Sequence, residues 1–267
     1  MKEFKSRLRK FLPRLKEARE KGMNEADTRM RIKLLFSEVL GYDLLDEITQ
    51  EHMVQGHYVD ISVKMKSWDK ASKGYKNKIM FFIETKSADT TLRETHVYQA
   101  TNYAATAGVN LCLLTNGADY KAYHLSWHES KIEKTEIMSF NVVDDPLNDV
   151  AGMLFLLSKQ SFKKGEMDKY IAESTTLSDK NLAVAMLSER VINAIRLELR
   201  AITGHNVSAD SISPSVRDLF SSDILEYVLT HARRAQKRKK SQPPLPKQVA
   251  EKLIEDSQHT SGQENDE

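Results

Sequence analysis

The stretch "KIMFFIETKSADTT", residues 78–91, runs from apolar residues straight into charge. Ile79 to Ile83 are apolar whichever way they point, the pattern of a strand covered on both faces in the middle of a sheet. Glu84, Thr85 and Lys86 follow without a break. Side chains two apart on a strand point the same way, so Glu84 and Lys86 emerge together at the end of an interior strand. A carboxylate and an amine in that position form either a plain surface ion pair, usually worth little, or part of a site.

Working outward, "HYVDISVKM" (57–65) alternates as a strand does. It predicts Val59, Ile61, Val63 and Met65 on one face and Tyr58, Asp60, Ser62 and Lys64 on the other. A weaker strand, "EITQEHMV" (47–54), precedes it, and Gln55-Gly56 suits a tight turn between the two. "SWDKASKGYKN" (67–77) reads as a polar loop. Further upstream, Asn24 is a good N-cap for a helix whose apolar face is Ile32, Leu35, Phe36, Val39 and Leu40, with Gly41 as its stop. Positions 25, 29, 32 and 36 share one face of this helix, so Glu25 leans toward the packed side while Asp27 lies nearer solvent with Arg31. Residues 1–21 carry the stripe Phe4, Leu8, Phe11, Leu15 and Ala18, with Pro13 predicting a kink or two short helices.

Downstream, residues 92–107 predict a helix packed through Val97, Ala100, Ala104 and Ala107. Residues 109–115 form a buried strand, Asn116-Gly117 a hairpin turn, and 119–125 and 134–142 two more strands. After Asp144-Asp145-Pro146 the pattern becomes helical, with a long helix over 181–202. The run "SADSISPS" (208–215) reads as a break before a last helix near 215–230. This predicts a sheet-containing domain over 1–145, a helical region over 146–230, and a disordered tail over 231–267 that is basic, then acidic.

Hydrophobic residues make up 40% of the 267 and charged ones 29%, which suits a globular chain able to bury a sizeable core. The single cysteine, Cys112, excludes an intrachain disulfide, and its apolar setting marks it as a small buried side chain. No Cys/His cluster has zinc-ligand spacing. No run approaches the roughly 20 apolar residues of a membrane span, and no secretory h-region follows the basic start. A cytoplasmic, non-membrane protein is the expectation. Residues 1–22 carry nine Lys/Arg against three Glu, and 231–240 carry six Lys/Arg and no acid. Such charge runs fit a polyanionic partner, or simply solvated helix faces.

A pair of carboxylates converging from neighbouring strands, Asp60 and Glu84, is a natural Mg²⁺ site, since magnesium prefers a few hard oxygens and keeps several waters. The backbone carbonyl of Thr85 adds another oxygen, and Lys86 sits where it would orient or help generate a hydroxide. Glu25, directed inward at a helix start, needs a partner that the metal or Lys86 would supply; otherwise it complements the helix dipole. Gln99 and Tyr103 are an i,i+4 pair beside the alanine stripe. They are suited to steadying the site or touching a phosphate, or else are ordinary surface residues. His57, Trp68 and Tyr75 are candidates only for incidental contacts.

The ordered set Glu25, Asp60, Glu84-Thr85-Lys86, Gln99 and Tyr103, with "LLTNGADYKAYHL" (113–125), resembles the PD-(D/E)xK nuclease superfamily. More narrowly it resembles the N-terminal nuclease domain of type I restriction enzyme R subunits. The resemblance spans about residues 20–145. It implies an α/β restriction-endonuclease-like αβββαβ core with a mixed central sheet, followed here by a helical C-terminal region. It further implies Mg²⁺ dependence (Mn²⁺ substituting) and double-stranded DNA as substrate. By this resemblance Asp60, Glu84 and Thr85 are metal ligands, Lys86 is the catalytic lysine, Glu25 the first-helix acid, and Gln99 with Tyr103 the accessory pair. Val59, not proline, precedes Asp60. No G-x-x-x-x-G-K-[ST] phosphate loop occurs, so the expectation is a stand-alone endonuclease rather than a motor-coupled subunit. The competing expectation is a non-cleaving module that binds nucleic acid or protein on a nuclease fold. The helices over 147–230 are a candidate homodimer surface.

Overall fold

The computed structural model describes residues 1–54, 57–69, 73–128 and 131–230. The expected Gln55-Gly56 turn, the side chains of His57 and Trp68, and the predicted tail over 231–267 lie outside the described residues. The chain forms two compact units, Met1–Ser178 and Asp179–Glu267.

In the first unit, α1 (Lys2–Glu20) and α2 (Glu25–Glu38) precede β1 (Ile48–Val54), β2 (His57–Asp69) and β3 (Gly74–Thr85). Then follow α3 (Glu94–Thr106), β4 (Leu111–Thr115), β5 (Asp119–His128), β6 (Lys131–Asn141), α4 (Leu147–Leu156), α5 (Lys159–Lys164) and α6 (Glu166–Thr176). The strands form one sheet in sequential order, β1 to β6. Every neighbouring pair is antiparallel except β3 and β4, which run parallel. A parallel pair needs a crossover, and α3 provides it. From α2 to β4 the elements run one helix, three strands, one helix and one strand on a mixed sheet, and β3 is interior with Phe81 to Thr85 all buried.

The sheet separates two apolar clusters. One holds Ile61, Val63, Phe81, Ile83 and Leu113 under α1, α2 and α4–α6. The other holds Phe82, Cys112, Leu114 and Tyr123 under Val97, Ala100 and Ala104 of α3. Strand alternation therefore puts Thr85 on the α2 side, and Glu84 on the α3 side.

Several expectations are corrected. Pro13 lies inside a single helix, α1, rather than dividing it. Phe4, Leu8, Phe11, Leu15 and Ala18 are all buried, and the burial on both sides of the proline, about 1.5–3 kcal/mol per large side chain, outweighs the lost hydrogen bond. The expected polar loop over 67–77 is largely a strand extension. After a register shift between Val63 and Lys64, β2 and β3 stay paired from Lys64↔Ile79 to Asp69↔Gly74. Backbone pairing needs no apolar side chain, so the exposed Lys76, Asn77 and Lys78 sit on a strand facing water. Val59 packs with the α3 cluster rather than with Ile61 and Val63, because its strand has already parted from β3. Ala107 is exposed at the C-cap of α3, and Thr101 is buried in the helix instead.

The three helices that follow Pro146, α4 to α6, join the first unit. Val150, Ala151, Leu154, Met167 and Ile171 complete its larger cluster. The Tyr42 hydroxyl donates to the Leu157 carbonyl at 3.0 Å, and Lys159 reaches the buried Glu47 at 2.6 Å. The change of character at Asp144–Pro146 thus marks a passage from sheet to helix inside this unit. The unit boundary falls after Ser178.

The second unit contains α7 (Asp179–Met186), α8 (Glu189–Thr203), α9 (Ala209–Arg217) and a helical stretch over 222–230. The single helix expected over 181–202 is interrupted, because the Ser188 hydroxyl accepts from the Val191 amide and starts a new helix. The "SADSISPS" run is itself helical from Ala209, with Ser208 as cap and Pro214 inside. Serine and aspartate weaken helix interiors but favour helix starts, so the run announces a beginning rather than a gap. Ile192, Ile212 and Val216 form this unit's small buried cluster. Among the described residues no helix is long and apolar enough to cross a membrane.

The β4–β5 turn ties the sheet to the start of α2. Asn116 Oδ1 accepts from the amides of Ala118 and Asp119, and Gly117 takes φ +88°. A Cβ on Gly117 would lie 3.2 Å from Thr28 Cγ2. Gly117→Ala is expected to cost about 1–2 kcal/mol in urea unfolding. In a double-mutant cycle with Thr28→Ser, the two changes should be less than additive.

Candidate functional site

The site is built where β2 leaves β3. Their ladder ends at Ile61↔Ile83, while β2 continues beside β1 through Val59, Tyr58 and His57. Thr85, two residues past the last pair, therefore has an amide with no strand to receive it. A buried N–H must find an acceptor, and Asp60 provides one. Asp60 Oδ2 accepts from the Thr85 amide at 2.7 Å and from the Thr85 hydroxyl at 2.7 Å.

On the α3 side, Glu84 is buried, 4% exposed, and its Oε1 accepts from Lys86 Nζ at 2.7 Å. The same ammonium lies 3.4 Å from Gln99 Oε1, and Gln99 Nε2 lies 3.4 Å from the Tyr103 hydroxyl. The helix that closes the parallel crossover therefore lays its i,i+4 pair over the strand end. The loop leaving the site is pinned at both sides, by Ala88 N–H to the Met23 carbonyl and by Asn116 Nδ2 to the Thr90 carbonyl.

On the α2 side stands a residue that the sequence reading did not assign. Arg29 Nη2 is 2.7 Å from Asp60 Oδ1 and 2.9 Å from Glu25 Oε1, and its Nε is 3.4 Å from the Thr85 hydroxyl. Asp60 and Arg29 are each 13% exposed, whereas Glu25 is 44% exposed. Glu25 is thus a rim acid tied to Arg29, not a deeply inward one. The signal was in the sequence, since position 29 shares the packed face with 25, 32 and 36 and an arginine there needs acids. Thr85 also enters differently from the expectation, through its amide and hydroxyl.

These charges feel one another. Burial first, then the negative charge of Asp60, raise the Glu84 carboxyl to about 7; Lys86 opposes the rise and Glu25 adds to it. Burial disfavours the Lys86 ammonium, but Glu84, Glu25 and Asp60 outweigh burial and lift it above the ordinary lysine value. The side chains thus flank the end of β3, with Glu84 and Lys86 on the α3 side, Arg29 and Glu25 on the α2 side, and Asp60 bonded to Thr85 between them.

Among the described residues, no group of three or more acidic, histidine or cysteine side chains surrounds a point that an ion could fill. That excludes an all-protein cage but suits magnesium, which is commonly held by one or two carboxylates plus waters and substrate phosphates. Asp60 and Glu84 fit that smaller donor set. Burial, and then the negative charge of Asp60, disfavour the ionised form of Glu84.

A mixed α/β unit with an acid–lysine cluster at the open end of its central strand defines the class. Residues 24–138, from the cap of α2 into β6, match the family described as the type I restriction enzyme R protein N terminus (HSDR_N). The matched segment is similar to that family, and it contains every residue of the cluster. No curated protein and no solved structure matches the chain.

The raised Glu84 carboxyl sets a pH dependence for the metal-free protein. A folded value near 7, well above the ordinary glutamate range, means that the folded state binds the proton more tightly. Stability should therefore fall as pH rises from about 5 to about 7, by on the order of 2 kcal/mol. Urea midpoints measured across that range in chelator should show the slope in the parent and lose it in Glu84→Gln.

Proposed function

We propose that the first unit is a Mg²⁺-dependent endonuclease that hydrolyses phosphodiester bonds in double-stranded DNA, with Mn²⁺ able to substitute. The observation that carries the reading is the Lys86–Glu84 pair at the buried end of β3 with Asp60 alongside, inside a segment similar to restriction-enzyme R N-termini. Asp60 and Glu84 would hold the ion, which when bound neutralises phosphate charge and supplies an activated water. Lys86, kept charged by its carboxylate neighbours, holds its ammonium against Glu84 and would stabilise negative charge that develops beside it. Gln99 holds Lys86 in place, and Tyr103 holds Gln99. Exposed Lys2, Arg7, Arg9 and Lys10 of α1 offer phosphate contacts that weaken with added salt.

A second reading, a DNA- or protein-binding module that does not cut, is favoured by one observation: both Asp60 oxygens already have partners. Plasmid cleavage decides between the two. With Mg²⁺ the purified protein should nick or linearise DNA. Lys86→Ala and Asp60→Ala should each lower the rate by about a hundredfold or more while leaving the thermal melt cooperative. Cleavage by both variants at the parent rate sinks the assignment. Tight DNA binding indifferent to metal, with no cutting by the parent, establishes the module.

A further inference from the structure

Arg29 holds a position that the proposed ion also needs. Asp60 Oδ2 is taken by the Thr85 amide and hydroxyl, which leaves Oδ1 as the oxygen that Thr85 does not engage. Arg29 Nη2 sits against that oxygen at 2.7 Å. A guanidinium and a hard divalent cation compete for the same lone pairs. The arginine is not required to orient the carboxylate, because two bonds from Thr85 already fix it. What Arg29 adds is a positive charge. Glu25, one helical turn away at 2.9 Å, gives the guanidinium a second anchor on the more exposed side.

We propose that Arg29 is a built-in counter-ion that neutralises Asp60 in the metal-free protein and yields Oδ1 to the divalent cation while staying tethered to Glu25. The inference rests on the metal reading above. It makes Arg29 a competitor of the ion rather than an organiser of its ligands. Removing an organiser weakens ion binding, whereas removing a competitor strengthens it.

The test is calorimetric titration of Mn²⁺ into the full chain at fixed ionic strength, with thermal melts in chelator and in Mn²⁺. A single opposite charge at this distance commonly moves proton affinity tenfold or more, so Arg29→Gln is expected to bind Mn²⁺ about tenfold more tightly than the parent. Its melting temperature in chelator should drop, and Mn²⁺ should raise it by more than it raises the parent's. Arg29→Lys keeps the charge but loses the fork, and should bind about threefold more tightly. It serves as the deciding variant if Arg29→Gln does not fold without metal. Binding by either folded variant that is equal to or weaker than the parent's overturns the inference and leaves the metal site standing. Absence of Mn²⁺ binding in the parent and the variants alike overturns the metal reading itself.

Discussion

One carboxylate takes the place of a missing strand. Where β2 turns away from β3, the interior strand would present an orphan amide at Thr85, and Asp60 closes the gap with a side chain. The arrangement satisfies the backbone and sets a functional geometry at once. Asp60 is held in the opening between strands, beside Glu84, because the ladder stops there. Were the ladder continued by two residues, Thr85 would pair with a strand backbone and Asp60 would have no gap to enter. A buried charge is costly unless it is paired and hydrogen-bonded. Asp60 has two bonds from Thr85 and one from Arg29, and charge-assisted bonds of this kind are the strong ones.

The same accounting explains why the cluster is electrostatically taut. Glu25, Asp60 and Glu84 face Arg29 and Lys86, three acids against two bases. The imbalance falls on Glu84, the most buried acid, whose carboxyl rises to about 7. The ionised form of Glu84 therefore works against the stability of the fold. Strain of this kind is where local rules of burial and charge pairing are expected to be broken for function.

Much of the architecture was legible because it rests on periodicity. The apolar run before Glu84 marked an interior strand, the alanine stripe marked the crossover helix, and Asn116-Gly117 marked the hairpin. Asn24 does cap α2, its side chain accepting from Asp27. The residues at the strand end were legible as a set, since Glu84 and Lys86 two apart must share a face. The rest failed for identifiable reasons. The polar stretch after Met65 hid a strand extension, because backbone pairing leaves no apolar signature where both faces meet water. The parting of β2 and β3 was invisible, because register is set between strands and not within one. That is also why Val59 was put on the wrong face. Arg29 was overlooked because its partners, Asp60 and Thr85, lie 31 and 56 residues further along the chain, and helix spacing alone showed only its neighbour Glu25.

The protonation of Lys86 limits what this lysine can do in the proposed reaction. Its ammonium is reinforced by Glu84, Glu25 and Asp60, so near neutral pH it donates hydrogen bonds and does not accept a proton. A general base must be able to take one. On the nuclease reading, therefore, Lys86 contributes through fixed charge and direction, aimed by Gln99 and Glu84, and proton removal falls to solvent or to the substrate's own phosphate oxygens. Neutral substitutions at 86 would then lose charge stabilisation. Arginine, which is charged but longer and planar, would retain the charge and lose the alignment that the Gln99–Tyr103 pair imposes. The division is consistent with the placement of the cluster. The group that must not lose its proton is wedged among carboxylates, and Glu84, whose carboxyl is raised to about 7, lies directly beside it.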